Sequence, residues 1–324
     1  MEVRRILVAV VLLASLPLIA QQEAPSQPAG QSKSESTASP ASIPDLTPGP
    51  DGKLSQEQMQ QLLRIVAEKD IENDKRQRDY TYIEREVQKN FDGKGHVKST
   101  EIKTYEILDI AGEQVERLIQ KDDTPLDAKE AAKEDEKIQK IIDKRKNETD
   151  EQKRKREEKE VKEREDGRKF VKEIADAYNF KLVGTELVGG REAWVIDGEP
   201  RPGFEPHMKD AKFLSKIHGR VWIDKSDLQL SKLDVEMLDT ISFGLVIARL
   251  HKGTRFSLEQ TRVNDEVWLP KQLNFKLDAR VALLKGYNIG DEQIFRDYKK
   301  FRTSNKIVGM GEVRDEGPQA QPQH

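Results

Sequence analysis

Leu273-Asn274-Phe275-Lys276-Leu277-Asp278-Ala279-Arg280-Val281 alternates apolar and polar at every position. Successive side chains of a strand point to opposite faces, so a period of two fits a sheet with one dry face and one wet face. Val267-Trp268-Leu269-Pro270-Lys271 leads into it, and one long strand is expected over 267–282. Upstream, the same rhythm recurs. Phe180 to Val188 and Arg191 to Asp197 flank Gly189-Gly190, a two-residue turn in which both positions can take φ > 0. Val221 to Asp224 and Leu228 to Met237 flank Lys225-Ser226-Asp227, and Arg255 to Val263 follows, with Tyr298 and Phe301 closing a meander. Towards the N-terminus, Tyr80 to Val87 and His96 to Leu108 flank Asp92-Gly93-Lys94-Gly95, and Val115 to Gln120 makes a third short strand. One sheet of roughly eight to ten antiparallel strands with so few helices must curl or close. Ile241 to Leu250 reads as a strand apolar on both faces, with Phe243, Leu245 and Ile247 on one and Val246, Ala248 and Leu250 on the other. Such a strand must be covered on both sides, most simply by short helices.

Helical signals are fewer. Ser55 and Gln58 fit a capping box, and Met59, Leu62, Leu63 and Val66 follow at helical spacing to about Asp70. Residues 127–166 hold 14 basic and 15 acidic residues with neither Pro nor Gly. Pairs such as Glu151/Lys155 and Glu158/Lys162 at i,i+4 favour a long charged helix, ended by Gly167. Its apolar stripe is short, Ile138, Ile141 and Ile142, so it reads as a solvated arm protruding from the body. A docking or coiled-coil role is the alternative. A shorter amphipathic helix with Phe170, Ile174 and Ala177 on one side follows.

The ends say where the chain goes. Arg4 and Arg5 precede the apolar run from Ile6, and small Ala20 precedes Gln21. That is the pattern of a cleaved secretory signal over 1–20, and its apolar run is too short to cross a ~30 Å hydrocarbon layer. Residues 21–53 are rich in Pro, Ser and Gln and read as a disordered linker; 309–324 reads as a disordered tail. One folded domain is left, 54–308. With no cysteine in 324 residues, disulfides, thiolate metal sites and lipidation of an N-terminal cysteine are excluded, so the exported protein is not lipid-anchored. A net charge of −3 gives no reason to expect nucleic acid as ligand.

Motifs for catalysis are missing. His96, His207, His218, His251 and His324 stand apart, with no i,i+2 or i,i+4 pairing, so no metal and no cofactor are expected. There is no G-x-S-x-G elbow and no Gly-rich phosphate loop. Asn147-Glu148-Thr149 matches a glycosylation sequon but lies inside the charged helix. Pro200-Arg201-Pro202-Gly203-Phe204-Glu205-Pro206 is too rich in proline for helix or central strand. It reads as a stiff crossover loop, or as a rim loop at a cavity mouth with Phe204 as its lid residue.

The run Gly184-Thr185-Glu186-Leu187-Val188-Gly189-Gly190-Arg191-Glu192-Ala193-Trp194-Val195-Ile196-Asp197 is followed by the Pro-rich loop and by Gly219-Arg220-Val221-Trp222-Ile223-Asp224-Lys225-Ser226-Asp227-Leu228-Gln229-Leu230-Ser231-Lys232. With Val267-Trp268-Leu269-Pro270-Lys271 before a long alternating strand, it resembles the periplasmic outer-membrane lipoprotein-sorting (LolA/LolB/LppX-like) superfamily over roughly 54–301. The resemblance implies a mainly β, α+β fold: a curved antiparallel half-barrel with short helices on its concave face, here with one long charged helical insertion over 127–166. It also implies a periplasmic, non-catalytic carrier whose ligand is a lipid or an acylated protein. A concave apolar pocket is the natural place for such a ligand. Phe243, Leu245, Phe256, Leu258, Phe275 and Leu277 are its candidate lining, though a sheet needs the same residues simply to fold. The alternative is an envelope scaffold that uses 127–166 to dock a protein partner.

Overall fold

The computed structural model describes residues 45–110, 113–243, 248–281 and 285–300. The expected signal peptide, residues 21–44 of the linker, the 309–324 tail, Leu245 and Phe301 lie outside them. In chain order come α1 (Gln56–Gln77), β1 (Tyr80–Phe91), β2 (Val97–Ile110), β3 (Glu113–Lys121), β4 (Thr124–Pro125), α2 (Ala128–Lys146) and α3 (Asp150–Ala177). Then follow β5 (Tyr178–Val188), β6 (Arg191–Pro200), a 3₁₀ helix (Lys209–Lys216), β7 (Ile217–Asp224) and β8 (Leu230–Met237). The last elements are β9 (Ile241–Phe243), β10 (Ala248–Leu250), β11 (Arg255–Val263), β12 (Val267–Val281) and β13 (Lys285–Lys300).

All 13 strands belong to one sheet, ordered β4-β3-β2-β1-β13-β12-β11-β8-β7-β6-β5, with β9 and β10 attached beside β12. β4 and β5 end the order and, among the described residues, do not pair with each other, so the sheet is open, as the expected half-barrel requires. Every strand pair is antiparallel. Leu273, Phe275, Leu277 and Ala279 are buried while Lys276 and Asp278 are exposed, so β12 has the dry and wet faces its alternation demands. The Gly189-Gly190 turn has φ of +57° and +82°.

Helices cover the dry face. Ser55 Oγ accepts from the Gln58 N–H while the Gln58 side chain accepts from the Ser55 N–H, so the capping box forms. α1 then runs past the expected Asp70 to Gln77, because Asn73 and Gln77 both bond β12. Asn73 Nδ2 donates to the Trp268 carbonyl at 2.8 Å and its Oδ1 accepts from the Trp268 N–H at 2.7 Å. Met59 and Leu62 of α1, Phe170 of α3 and Phe213 of the 3₁₀ helix share one cluster with Ile196, Phe256, Phe275 and Leu277 of the sheet. Leu46 is buried in the same cluster, so the last part of the expected linker, 45–53, lies against the body. No helix among the described residues is long and apolar enough to cross a membrane.

Three expectations need correction. Residues 127–166 form two helices rather than one: α2 stops at Lys146, and Thr149 caps a new helix through a capping box with Gln152. Gly167 ends nothing, and α3 runs through it to Ala177. A helical Gly costs only about 1 kcal/mol, which packing of Phe170 and Ala177 outweighs. Asn147 consequently sits exposed in the turn, not inside a helix. Second, α2 is pinned to the body: Ile138 is 2% exposed against Ile110 and Val115, with Ile141 and Ile142 beside it. What protrudes is the first half of α3, where all side chains described over 150–155 are exposed. Third, Ile241 to Leu250 is not one strand. β9 and β10 pair with each other, Ala248 opposite Phe243, so the chain folds back where two-faced alternation suggested a straight run.

Candidate functional site: an apolar cavity under the helical roof

The inner face of β5, β6, β7, β8 and β11 does not meet its roof everywhere. A cavity of about 160 Å³ remains between it and the residues Phe170 and Ile174 of α3 and Phe213 and Leu214 of the 3₁₀ helix. Ile196, Val221, Leu233, Met237 and Phe256 form its walls. A cross-strand pair of glycines accounts for the space: Gly198 of β6 stands opposite Gly219 of β7, and both line the cavity. A Cβ built on Gly198 would meet the Phe180 and Tyr178 rings at 3.3 and 3.4 Å, so aromatic side chains already cover that glycine. A Cβ on Gly219 would find nothing nearer than the Asp234 carbonyl at 4.0 Å. The missing side chain of Gly219 is therefore left as room.

The lining offers a ligand little hydrogen bonding. Tyr178 donates its hydroxyl to the Leu214 carbonyl at 2.8 Å, tying the end of α3 to the 3₁₀ helix. Burial pushes the Tyr178 phenol well above its ordinary pKa, so it stays neutral. Thr254 bonds the Asp278 carbonyl, and Arg255, at the β11 margin, pairs with Glu236 at 3.0 Å. Every other lining residue is apolar or glycine. No group of three or more His, Cys, Asp or Glu that could hold a metal occurs among the described residues.

Two other hollows are polar. A groove of about 810 Å³ on the opposite face of the sheet is floored by Lys232, Asp234, Arg220, Arg255 and Glu236. These charges are mostly paired within the protein: Arg220 forks onto Asp197, and Lys232 reaches Asp234 at 3.4 Å. A third, of about 330 Å³, lies between α1 and the β7–β8 loop. Its Asp227 carboxylate already accepts from Trp268 Nε1 at 2.9 Å and faces Arg262 at 2.8 Å and Arg191 at 3.2 Å. Nearby, burial works against ionisation of Asp224, but the Arg191 fork and the N–H groups of Asp227 and Ser226 more than offset it and hold that carboxyl below its usual range. These are ion pairs that fix the hairpin, and burying one needs such partners.

Of the residues proposed from sequence, Phe256 lines the cavity. Leu258 is half-buried opposite Leu233. Phe275 and Leu277 are buried in the same cluster but on β12, outside the lining. Phe243 is placed in β9 by its backbone alone, and Leu245 lies outside the described residues. Phe204 packs half-buried on the cluster with its ring 6.4 Å from that of His207, and it does not line the cavity. Gly198, Gly219, Phe170, Ile174 and Phe213 went unnamed as lining. A signal for the glycines was present, since glycine inside a strand marks a bulge or a place where something else approaches closely.

The site is thus an apolar, hydrogen-bond-poor cavity between an open antiparallel sheet and the helices that cover it. No protein-family model and no curated protein matches the chain. Among solved structures it is similar to a domain assigned to outer membrane lipoprotein sorting from Vibrio parahaemolyticus, at 13% identity and a TM-score of 0.30, covering 76% of this chain and 94% of that one. It is similar also to a LolA superfamily protein from Nitrosomonas europaea, at 8% identity and a TM-score of 0.25, covering 75% and 94%. A third is the MucA/MucB complex of Pseudomonas aeruginosa, at 11% identity and a TM-score of 0.21, covering 74% and 94%. Two of these neighbours carry the lipoprotein-sorting or LolA name of the family that the hairpin sequence resembles. At such identities no residue's role passes from them to this chain.

Proposed function

We propose that the protein is an exported, non-catalytic carrier, working in the periplasm, that holds an acyl chain of a lipid or lipidated protein in the cavity under α3 and the 3₁₀ helix. The observation that supports this reading is the cavity itself: apolar, poor in free hydrogen-bonding groups, and opened by Gly219 rather than by loose packing. Its size limits what it takes. A cavity of similar volume in another protein holds one benzene, so about 160 Å³ accepts roughly six carbons. Transfer of six CH₂ groups from water contributes about 5 kcal/mol before association costs. The end of a chain fits; a whole one requires the roof to move. Extraction and mass spectrometry of the protein purified from its own compartment test the reading. Stoichiometric acylated lipid is expected, and an interior without lipid counts against it.

The protruding half of α3 favours a second reading, a docking arm for an envelope protein. Removing 150–160 with a rebuilt cap should leave probe binding intact and abolish that association; unchanged association refutes the arm.

A further inference from the structure

Between β6 and the 3₁₀ helix the chain crosses α3 as a strap, Arg201 to Met208. Two prolines, Pro202 and Pro206, stiffen it, and a third, Pro200, ends β6 just before it. Its near end is fastened to the end of α3: the Arg201 N–H donates to the Ala177 carbonyl at 2.8 Å and Arg201 Nη1 to the Asp176 carbonyl at 3.0 Å. Its far end is held differently. The Glu173 carboxylate, 5% exposed on α3, accepts the His207 N–H at 2.5 Å and faces His207 Nδ1 at 3.5 Å. Glu173 immediately precedes Ile174 and lies one turn from Phe170, both of which line the cavity. Directly beyond His207 and Met208 the chain becomes the 3₁₀ helix that supplies Phe213 and Leu214 to the roof.

A buried carboxylate is costly unless hydrogen-bonded, so Glu173 makes sense only with the strap in place or with water in its stead. Lifting the strap admits that water. One charge-assisted bond is exchanged for another, which leaves opening accessible to thermal motion.

We propose that Glu173 is the gate residue of the cavity: it fastens the strap over the roof, and release of that tie sets how long an acyl chain the protein admits. The inference rests on the carrier reading. The experiment compares hydrogen exchange of the full chain for wild type and Glu173→Gln, with binding of fluorescent hexanoyl and hexadecanoyl probes. In the variant the amides of 203–216 should exchange about tenfold faster while those of β7 and β8 stay unchanged, since a weaker acceptor raises the open population. Preference should shift towards the hexadecanoyl probe by a similar factor. Unchanged exchange, acceleration spread over the whole sheet, or faster exchange with no shift in chain-length preference would each overturn the gate. If neither protein binds any probe, the carrier reading fails, and exchange alone still decides whether Glu173 fastens the strap. Should Glu173→Gln not fold, His207→Ala keeps the N–H but removes the ring contact. About threefold faster exchange over 203–216 is then expected, and a wild-type rate there counts against the tie.

Discussion

Substituting Gly219 by valine separates a ligand cavity from a merely imperfect core. The Gly219 backbone is outside the left-handed region, and a Cβ there points into space bounded first by the Asp234 carbonyl at 4.0 Å. Valine adds three carbons that β-strands accommodate well. At about 0.8 kcal/mol per buried carbon, less roughly 0.5 for side-chain ordering, the fold should gain about 2 kcal/mol. For a domain of this size the melting temperature should rise by roughly 4–8 °C. Those carbons occupy about half of the space available to a ligand, so an acyl probe should bind about 60-fold more weakly, the equivalent of about 2.4 kcal/mol. Thermal unfolding and fluorescent fatty-acid titration read the two effects on one sample. Gly198→Val is the control: its Cβ meets the Phe180 ring at 3.3 Å, so it should overpack and destabilise by about 1–3 kcal/mol. A Gly219→Val protein that melts lower, or that binds the probe as well as wild type, would refute the cavity as the ligand site.

Two further outcomes test the fold around the site. Burial, reinforced by Asp74, raises the Asp70 carboxyl to about 6. The unfolded chain therefore ionises Asp70 first, and stability falls as pH rises from about 3.8 to about 6 and stays lower above it. Asp70→Asn should stabilise the protein at pH 7–8, by at most about 3 kcal/mol, and leave it unchanged near pH 3.5; urea unfolding at the two pH values checks this. Ile138→Asp should free α2 from Ile110 and Val115, giving fast hydrogen exchange along 128–146 while β5 to β8 keep their protection. Global unfolding instead would mean that α2 is integral to the sheet rather than pinned on its margin.

Local pattern settled most of the strands. β12 shows its two faces in every second residue, the Gly-Gly turn fixes the β5–β6 hairpin, and Ser55 with Gln58 marks the start of α1. Alternation also marked which residues face inward, since Phe256, Phe275 and Leu277 are all buried. It could not separate cavity wall from core, because both need the same apolar side chains; only the position of the roof distinguishes Phe256 from Phe275. β13 was the least legible strand. Its sequence, Lys285-Gly286-Tyr287-Asn288-Ile289-Gly290-Asp291, is polar and glycine-rich, and it becomes a strand by pairing with β12 on one side and β1 on the other, Lys300 opposite Tyr80. That pairing joins residues more than two hundred positions apart, beyond the reach of any local window. The same holds for the site. Gly198 and Gly219 each stand out as a glycine inside a strand, but only the β6–β7 register sets them side by side. Their adjacency leaves a hollow because α3 and the 3₁₀ helix span it without filling it.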